Sequence, residues 1–304
     1  MNIKDEVSKV DSTRTEKLAE LSAIVRNSGT FNNSLRITIE NNSVARRIFK
    51  LFKDVYGINL VITVRRRYGF SNNLIYILSL VNKYSKILND LSIVDNSGIY
   101  LDVPHEYLIS DNDDLRAYLR GLFMTCGSVN DPKTSRYHLE FVVNTSSYAN
   151  FINDILNSYN LNSKVIKRDK NYMIYIKEAE KISDFLRIIK AYNGVMYFED
   201  IRIYRDHKNM TNRLNNCEQA NMDKIFITAS NQLRDIEKLK EYDMLDVVDD
   251  KLKEVIDFRI KYPESSLSEL ASIMSNELGY NITKSGLNHR FRKIRDMVSK
   301  IERK

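Results

Sequence analysis

The chain has 304 residues, of which 43% are apolar and 29% are charged, and its formal net charge is +7. This length and apolar content suffice for two or three domains with buried cores and exclude a disordered chain. Cys126 and Cys217 are too few for a disulfide framework, and no Cys/His cluster has zinc-ligand spacing. The positive charge favours a polyanionic partner such as nucleic acid, although many ordinary soluble proteins carry a similar charge.

The beginning of the chain, MNIKDEVSKVDSTRTEK, alternates charges and lacks the apolar core of a signal peptide. The longest apolar runs, such as INLVITV at 58–64, have the length of a strand. We therefore expect no membrane segment and a cytoplasmic location. With 9 Gly and 3 Pro in the chain, any linkers are expected to be structured and helical.

The chain contains an internal repeat. Its two copies begin with LSAIVRNSGT (Leu21–Thr30) and LRGLFMTCGS (Leu119–Ser128), apolar helical patterns that end in a small residue, Gly and a hydroxyl. The segments that follow, LRITIENNSVARRIFKLF and LEFVVNTSSYANFINDIL, align without gaps. Both change from the alternation of a strand to the spacing of an amphipathic helix, with Ser43 and Ser147 as predicted N-caps.

Each copy continues with two strands joined by a basic tip and closes with a helix, around Tyr84–Leu91 and Ala179–Ala191. The order helix, strand, helix, two strands, helix predicts an α+β domain with antiparallel sheets, present twice. We place the repeats at about 14–92 and 111–192, within one domain at 1–205.

These repeats resemble the LAGLIDADG homing-endonuclease fold, and nearly the whole chain resembles the WhiA family of bacterial DNA-binding regulators. The resemblance rests on YLRGLFMTCGSVNDP with YHLEF after it, NRLNNCEQANMDK, and the terminal YPESSLSELASIM and ITKSGLNHRFRKI. It implies a degenerate, duplicated endonuclease-like domain followed by an all-α helix-turn-helix domain. It also implies a role in transcription tied to sporulation or cell division.

The resemblance implies that active nucleases of this fold hold divalent metals through an acid just before the terminal Gly of each helix. Ser28 and Cys126 occupy these positions here. A neutral hydroxyl or thiol does not replace a carboxylate as a Mg²⁺ ligand. We therefore predict no catalytic residue, no metal site and no cofactor. The nearby Asp111, Asp113 and Asp114 precede the second helix and are interpreted as capping charge.

Three glycines of the two helices, Gly29, Gly121 and Gly127, have a packing explanation, because helices that cross closely need small side chains at the contact. Met124 and Cys126 then become ordinary core or interface residues.

The two hairpin tips are basic. The first carries Arg65, Arg66 and Arg67, and the second carries Lys167, Arg168 and Lys170. In nucleases of this fold the sheets form a saddle over the duplex, so one hypothesis assigns phosphate contacts to these residues. The other hypothesis is that the tips are solvated turns, since a domain without cleavage activity has less need of DNA.

A helical linker is predicted at 206–245 and a helix-turn-helix domain at 246–304. In the linker, Met222, Ile225, Ala229, Leu233 and Ile236 have the spacing of a long amphipathic helix. Pro263 ends the next helix. Ser266 and Glu269 predict a capping box for a short helix through Met274. After a connector of roughly seven residues, Thr283 caps a last helix that runs toward Ile301.

The last helix has two distinct faces at 100° per residue. Its apolar face carries Leu287, Phe291, Ile294, Val298 and Ile301. The opposite face gathers Ser285, Asn288, His289 and Arg292, with Lys284 and Arg295 at its border. Residues 284–304 contain eight Lys or Arg against two acids, a local excess of +6. The side chains suit base edges in a major groove, which predicts a recognition helix rather than only a solvated basic face.

The leading hypothesis is a non-enzymatic, sequence-specific regulator of double-stranded DNA, associated with the nucleoid in the cytoplasm. Its further partner would be another transcription factor or the transcription machinery. Three alternatives stay open: a divergent metal-dependent homing endonuclease, an RNA-splicing cofactor of the same fold, and an interaction scaffold.

Overall fold

The computed structural model describes residues 2–31, 33–66, 74–82 and 84–302. The chain packs as two compact units, Met1–Arg205 and Asp206–Lys304, each with its own hydrophobic core. Within the described ranges, no helix combines the length and the apolar character needed to cross a bilayer.

The first unit contains one arrangement of elements twice. The short helix α1 (Ile3–Val7) precedes the first copy, which consists of α2 (Arg14–Ser28), β1 (Gly29–Phe31), β2 (Leu35–Ile39), α3 (Asn42–Tyr56), β3 (Val61–Arg66), β4 (Leu74–Leu80) and α4 (Tyr84–Asp90). The second copy consists of α5 (Asn112–Cys126), β5 (Gly127–Val129), β6 (Leu139–Val143), α6 (Ser146–Ser158), β7 (Lys164–Arg168), β8 (Asn171–Ile176) and α7 (Ala179–Ile188). The predicted duplicated α+β fold is confirmed.

Each copy forms an antiparallel four-stranded sheet, ordered β1-β2-β4-β3 in the first and β5-β6-β8-β7 in the second. The strands β1 and β5 were not predicted from the sequence. Each has only three residues, which is too short for an alternating pattern to be recognised. They begin directly at Gly29 and Gly127, so each long helix runs straight into an edge strand.

The predicted N-caps Ser43 and Ser147 are wrong by two residues. Asn41 caps α3, because its side chain accepts a hydrogen bond of 2.9 Å from the backbone N–H of Val44. Thr145 caps α6 in the same way through the N–H of Tyr148 at 3.3 Å. Several Asn, Ser and Thr residues are adjacent at both helix starts, and all are good caps. The residue that keeps an extended backbone takes the role.

The helices α2 and α5 cross closely, as the glycine pattern predicted, but only Gly121 lies at the crossing. A Cβ atom there would lie 2.4 Å from the Glu20 carbonyl oxygen and 3.1 Å from the Ala23 methyl group. Gly29 and Gly127 serve a different purpose, since their Cβ atoms would collide with Val25 O at 2.4 Å and with the Phe123 side chain at 2.6 Å. Both glycines let the chain leave its helix and enter a strand within one residue.

The first helix of the chain, α1, fastens three parts of the first unit together. Ile3 and Val7 are buried in its core. Asp5 accepts a hydrogen bond of 2.9 Å from Asn41 at the start of α3. Glu6 accepts the backbone N–H groups of Asn193 and Gly194 at 2.7 and 3.1 Å. The Glu6 carboxylate thereby satisfies N–H groups at the start of the long helix that begins at Tyr192.

The second unit is helical. It contains most of α8 (Tyr192–Glu241), followed by α9 (Asp250–Lys261), α10 (Leu267–Leu278) and α11 (Lys284–Ile301). The helix α8 begins 14 residues before the predicted linker start at 206, because the apolar residues at its beginning belong to the core of the first unit. The helix α10 continues past Met274 to Leu278, which shortens the connector to residues 279–283.

Two predicted caps of the second unit are confirmed. Ser266 and Glu269 form a reciprocal capping box at the start of α10. The Thr283 hydroxyl accepts the N–H of Gly286 at 3.1 Å at the start of α11. The helices enclose a core whose buried members are Ile236, Leu239, Val248, Leu252, Val255, Ile256, Leu270, Ala271, Met274, Ile282, Leu287, Phe291, Ile294 and Val298.

Candidate nucleic-acid interface

Ser28 and Cys126, the positions that the resemblance assigns to the acids of active nucleases, end α2 and α5, and their side chains turn back into their own helices. The Ser28 hydroxyl donates to Ile24 O at 2.7 Å, and the Cys126 thiol donates to Leu122 O at 3.4 Å. Burial raises the pKa of the Cys126 thiol to about 12, despite the opposing charge of Lys4. At neutral pH both side chains are therefore uncharged donors, which are unsuited to bind Mg²⁺.

Cations lie near these two helix ends. Arg26, in the last turn of α2, donates through Nη2 to Ser92 O at 2.5 Å and through Nη1 to Leu101 O. The Lys4 ammonium lies 5.8 Å from the centre of the Phe123 ring on α5. In the described part of the chain, no group of three or more His, Cys, Asp or Glu side chains has a metal-binding arrangement. The residues at this site do not fit a catalytic metal centre.

Lys4 is a feature that sequence reasoning missed. Burial lowers the pKa of its ammonium group, while the nearby Cys126 and Glu40 act in the opposite direction. The charge alternation in this segment argues only against a signal peptide. The buried Ile3 and Val7, spaced four residues apart on α1, were the signal that this segment packs against the core.

The register of the first sheet separates the arginines predicted at its hairpin tip. Ile37 is buried against Leu78, so the residues alternating with them lie on the sheet face away from the helices. Arg65 belongs to that open face together with Arg36, whereas Arg66 belongs to the helix-covered side. Arg36, Arg65 and Arg66 are all exposed. Arg67 lies outside the described residues.

The second sheet makes the same separation. Phe141 is buried against Ile174, so Lys164 and Arg168 lie on the opposite, open face. The side chain of Lys167, paired with Tyr172, belongs to the covered side. Lys170 follows Asp169, whose φ of 53° forms the tight turn between β7 and β8.

The open face of the second sheet also carries an acid and an aromatic group. The Glu140 carboxylate lies 3.1 Å from His138 Nε2. The His138 ring stacks on Tyr175, with 6.0 Å between ring centres. The Lys177 ammonium lies 4.7 Å from the centre of the Tyr175 ring. This face is therefore mixed in charge rather than uniformly basic.

The last helix presents its two predicted faces as expected from their spacing. Leu287, Phe291, Ile294 and Val298 are buried in the core of the second unit. Four residues of the opposite face are exposed, namely Ser285, Asn288, His289 and Arg292. The packing of α11 thus leaves a polar and basic helix face accessible to solvent.

The two residues predicted at the border of this face have additional neighbours within the second unit. Arg295 is exposed, and its Nε lies 3.4 Å from Oδ2 of the nearly buried Asp235 on α8. Lys284, the first residue of α11, lines a cleft beside the start of α10. Directly after α11, Glu302 forms an ion pair with Lys238 of α8. A carboxylate of the second unit thus holds Arg295.

Three domain families of WhiA match the chain. They are the WhiA N-terminal LAGLIDADG-like domain over residues 14–94, the WhiA LAGLIDADG-like domain over 115–208 and the WhiA C-terminal HTH domain over 211–298. A structure of full-length WhiA from Thermatoga maritima is 22% identical and superimposes with a TM-score of 0.58, covering 98% of this chain and 96% of that one. This similarity shows that the two proteins share a fold.

Curated relatives extend the match over the full length. Proteins of Bacillus cytotoxicus and of Bacillus cereus strain AH187, both named probable cell division protein WhiA, are each 41% identical over 303 residues. Each alignment covers 98% of this chain and 95% of the relative. Identity at this level over both units, together with the three domain matches, shows that the chain belongs to the WhiA family.

Proposed function

We propose that this protein is a non-catalytic regulator that binds double-stranded DNA in a sequence-specific manner, with α11 as its recognition helix. The observation that carries the proposal is the division of α11 into a buried apolar face and an exposed face with Asn288 and Arg292 at its centre. A helix fixed in this way can enter a major groove without losing its own packing.

The exposed face has the chemistry needed to read bases. The Asn288 amide matches the paired donor and acceptor of adenine, and the Arg292 guanidinium matches the two acceptors of guanine. Ser285 and His289 add further hydrogen-bonding groups beside them. The basic residues of the terminal segment supply attraction to phosphates, which contributes affinity without selecting a sequence.

The first unit supports binding rather than cleavage in this proposal. Hydrolysis of a phosphodiester by this fold needs oxygen ligands for divalent ions at both helix ends. Ser28 and Cys126 are instead neutral donors to their own helices. A divergent endonuclease is therefore the weaker alternative, and no contact in the described residues specifically favours RNA splicing.

We further propose that the open sheet faces contribute phosphate contacts. The register favours Arg65 and Arg168 among the predicted tip residues and adds Arg36 and Lys164 to them. Arg66 and Lys167 are less suited to this face, and Lys170 lies at the turn. These contacts would add affinity and salt dependence while α11 provides selection.

The relatives named probable cell division protein WhiA suggest the process in which this regulator acts. We propose a role in cell division or sporulation, exerted on the nucleoid in the cytoplasm. The transcription machinery or another transcription factor would be its protein partner. Protein pull-downs repeated after removal of residues 246–304 separate such a partner from association that depends on DNA.

Selection from a random duplex library tests the proposed activity. The wild-type chain should enrich one recurrent sequence, and a variant with Asn288→Ala and Arg292→Ala should not. Lys251→Ala, an exposed change on α9, serves as the matched control and should enrich the same sequence. Absence of enrichment by the wild type, or tighter binding to structured RNA than to any duplex, would contradict the proposal.

A further inference from the structure

A cleft of about 420 Å³ lies within the second unit, where the starts of α10 and α11 meet α8. Its walls include three basic side chains, Lys224, Arg259 and Lys284, and the hydroxyl-bearing residues Thr228, Ser266 and Ser268. Among the described residues that line it, none is Asp or Glu. The cleft therefore concentrates positive charge and hydrogen-bond donors in one concave place.

The start of α10 contributes backbone donors to this cleft. The capping box already satisfies the N–H groups of Ser266 and Glu269, because each bonds to the side chain of the other residue. The other two N–H groups of the first turn, those of Leu267 and Ser268, have no partner in this capping box. Both residues line the cleft, and the positive end of the helix dipole favours an anion there.

Arg259 supplies an independent indication of an anionic ligand. Its side chain is 1% exposed and forms part of the cleft wall. Its Nη1 donates to the backbone oxygens of Tyr262, Pro263 and Ser265 at 3.2, 3.4 and 2.7 Å, and its Nε has no hydrogen-bond partner in the described chain. The Phe291 ring also lies near this group, with 5.6 Å between the ring centre and Arg259 Cζ. A buried charge is costly unless it is paired, and neither carbonyl groups nor an aromatic ring neutralises a guanidinium.

We propose that this cleft binds a phosphate group, held by Lys224, Lys284 and the N–H groups at the start of α10 next to the buried Arg259. The phosphate comes from the DNA backbone or from a free phosphate-bearing molecule. The first source rests on the proposed DNA-binding function. Because Lys284 is also the first residue of the recognition helix, a phosphate held here would fix the position of that helix.

Two variants of the full chain test the site. Lys224→Gln removes a cation on α8, away from the base-reading face of α11. Ser268→Asp places a negative charge in the cleft, while an acid in the first turn of a helix stabilises the helix itself. Loss of binding in Ser268→Asp therefore does not arise from unfolding. Asn276→Asp, an exposed change about 12 Å further along α10, is the matched control.

The first measurement is the affinity for duplex DNA at several salt concentrations, with the selected and a scrambled sequence. If the DNA backbone supplies the phosphate, Lys224→Gln and Ser268→Asp weaken binding to both sequences alike. The Lys224→Gln variant then reduces the slope of log K against log salt by about 0.9. Failure of the proposed base reading has a different signature, since the wild type would then bind both sequences equally.

The second measurement is thermal unfolding in inorganic phosphate against chloride at constant ionic strength. Phosphate stabilises folded proteins in general. If a free phosphate-bearing molecule is the ligand, phosphate therefore raises the unfolding temperature of the wild type and of Asn276→Asp by more than that of Ser268→Asp. This arm does not depend on DNA binding. Unchanged DNA affinity in both cleft variants, together with equal phosphate-dependent stabilisation of the wild type and Ser268→Asp, would overturn the proposal.

Discussion

Glu20 and Arg120 form an ion pair inside the first unit, with 2.9 Å between Glu20 Oε2 and Arg120 Nη2 and no exposed surface on either residue. Glu20 lies on α2 and Arg120 on α5, so the pair joins the two repeats. Arg47 donates to the same carboxylate at 2.7 Å, and Ser12 Oγ accepts from both arginines. One buried carboxylate thus neutralises two guanidinium groups only in part.

This imbalance predicts unequal effects of removing the partners. Glu20→Gln removes the carboxylate that both buried guanidinium groups contact and should lower the free energy of unfolding by about 3–5 kcal/mol. Arg120→Met, of similar size, leaves Glu20 paired with Arg47 and should cost clearly less. Urea denaturation of the first unit at neutral pH measures both changes. Equal losses in the two variants would contradict this description of the cluster.

The helix crossing makes a second prediction, at Gly121. Gly121→Ala places a methyl group 2.4 Å from the Glu20 carbonyl oxygen, so the helices must separate, at a cost of about 1–3 kcal/mol or more. Gly194→Ala is the control, because its nearest neighbour would lie at an ordinary contact distance of 3.4 Å. That control should retain its stability. A Gly121→Ala variant as stable as the wild type would show that the crossing is loose.

Local sequence patterns predicted the parts of the fold that depend on neighbouring residues. The repeat, the faces of α11 and the Ser266–Glu269 capping box all follow from spacings of three or four residues. Only the strand register shows which residues lie on the open sheet faces. That register separated Arg65 from Arg66 although they are adjacent in the chain.

Contacts between distant segments were not accessible from these patterns. Glu20 and Arg120 are 100 residues apart, so no local spacing connects them. The cleft beside Lys224 likewise forms where residues of α8, α9, α10 and α11 meet in space. The capping residues Asn41 and Thr145 were missed because their neighbours are equally good caps.

The thiol of Cys126 should be inert in the folded protein. Because the thiolate is the nucleophile and burial raises the pKa of this group to about 12, Cys126 stays protonated at pH 8. Cys217 is exposed and should react with iodoacetamide under the same conditions. Peptide mapping by mass spectrometry distinguishes the two residues, with the urea-unfolded chain as the control in which both react. Rapid modification of Cys126 in the native chain would contradict a buried thiol that stays protonated.

Supercoiled plasmid should stay intact when the purified chain is incubated with Mg²⁺ or Mn²⁺. The reason is the absence of carboxylates at positions 28 and 126, where the side chains are a hydroxyl and a thiol. An active LAGLIDADG endonuclease with a plasmid that carries its site is the positive control. Nicking by the wild-type chain that a chelator abolishes would favour the endonuclease alternative.

The central claim is that the exposed face of α11 reads bases, and equilibrium binding at fixed salt tests it most directly. The duplex that the wild type selects is compared with a scrambled duplex of equal length. Asn288→Ala and Arg292→Ala should each weaken binding to the selected duplex by about 1–3 kcal/mol and lower the preference over the scrambled one. An unchanged preference in both variants would contradict the account.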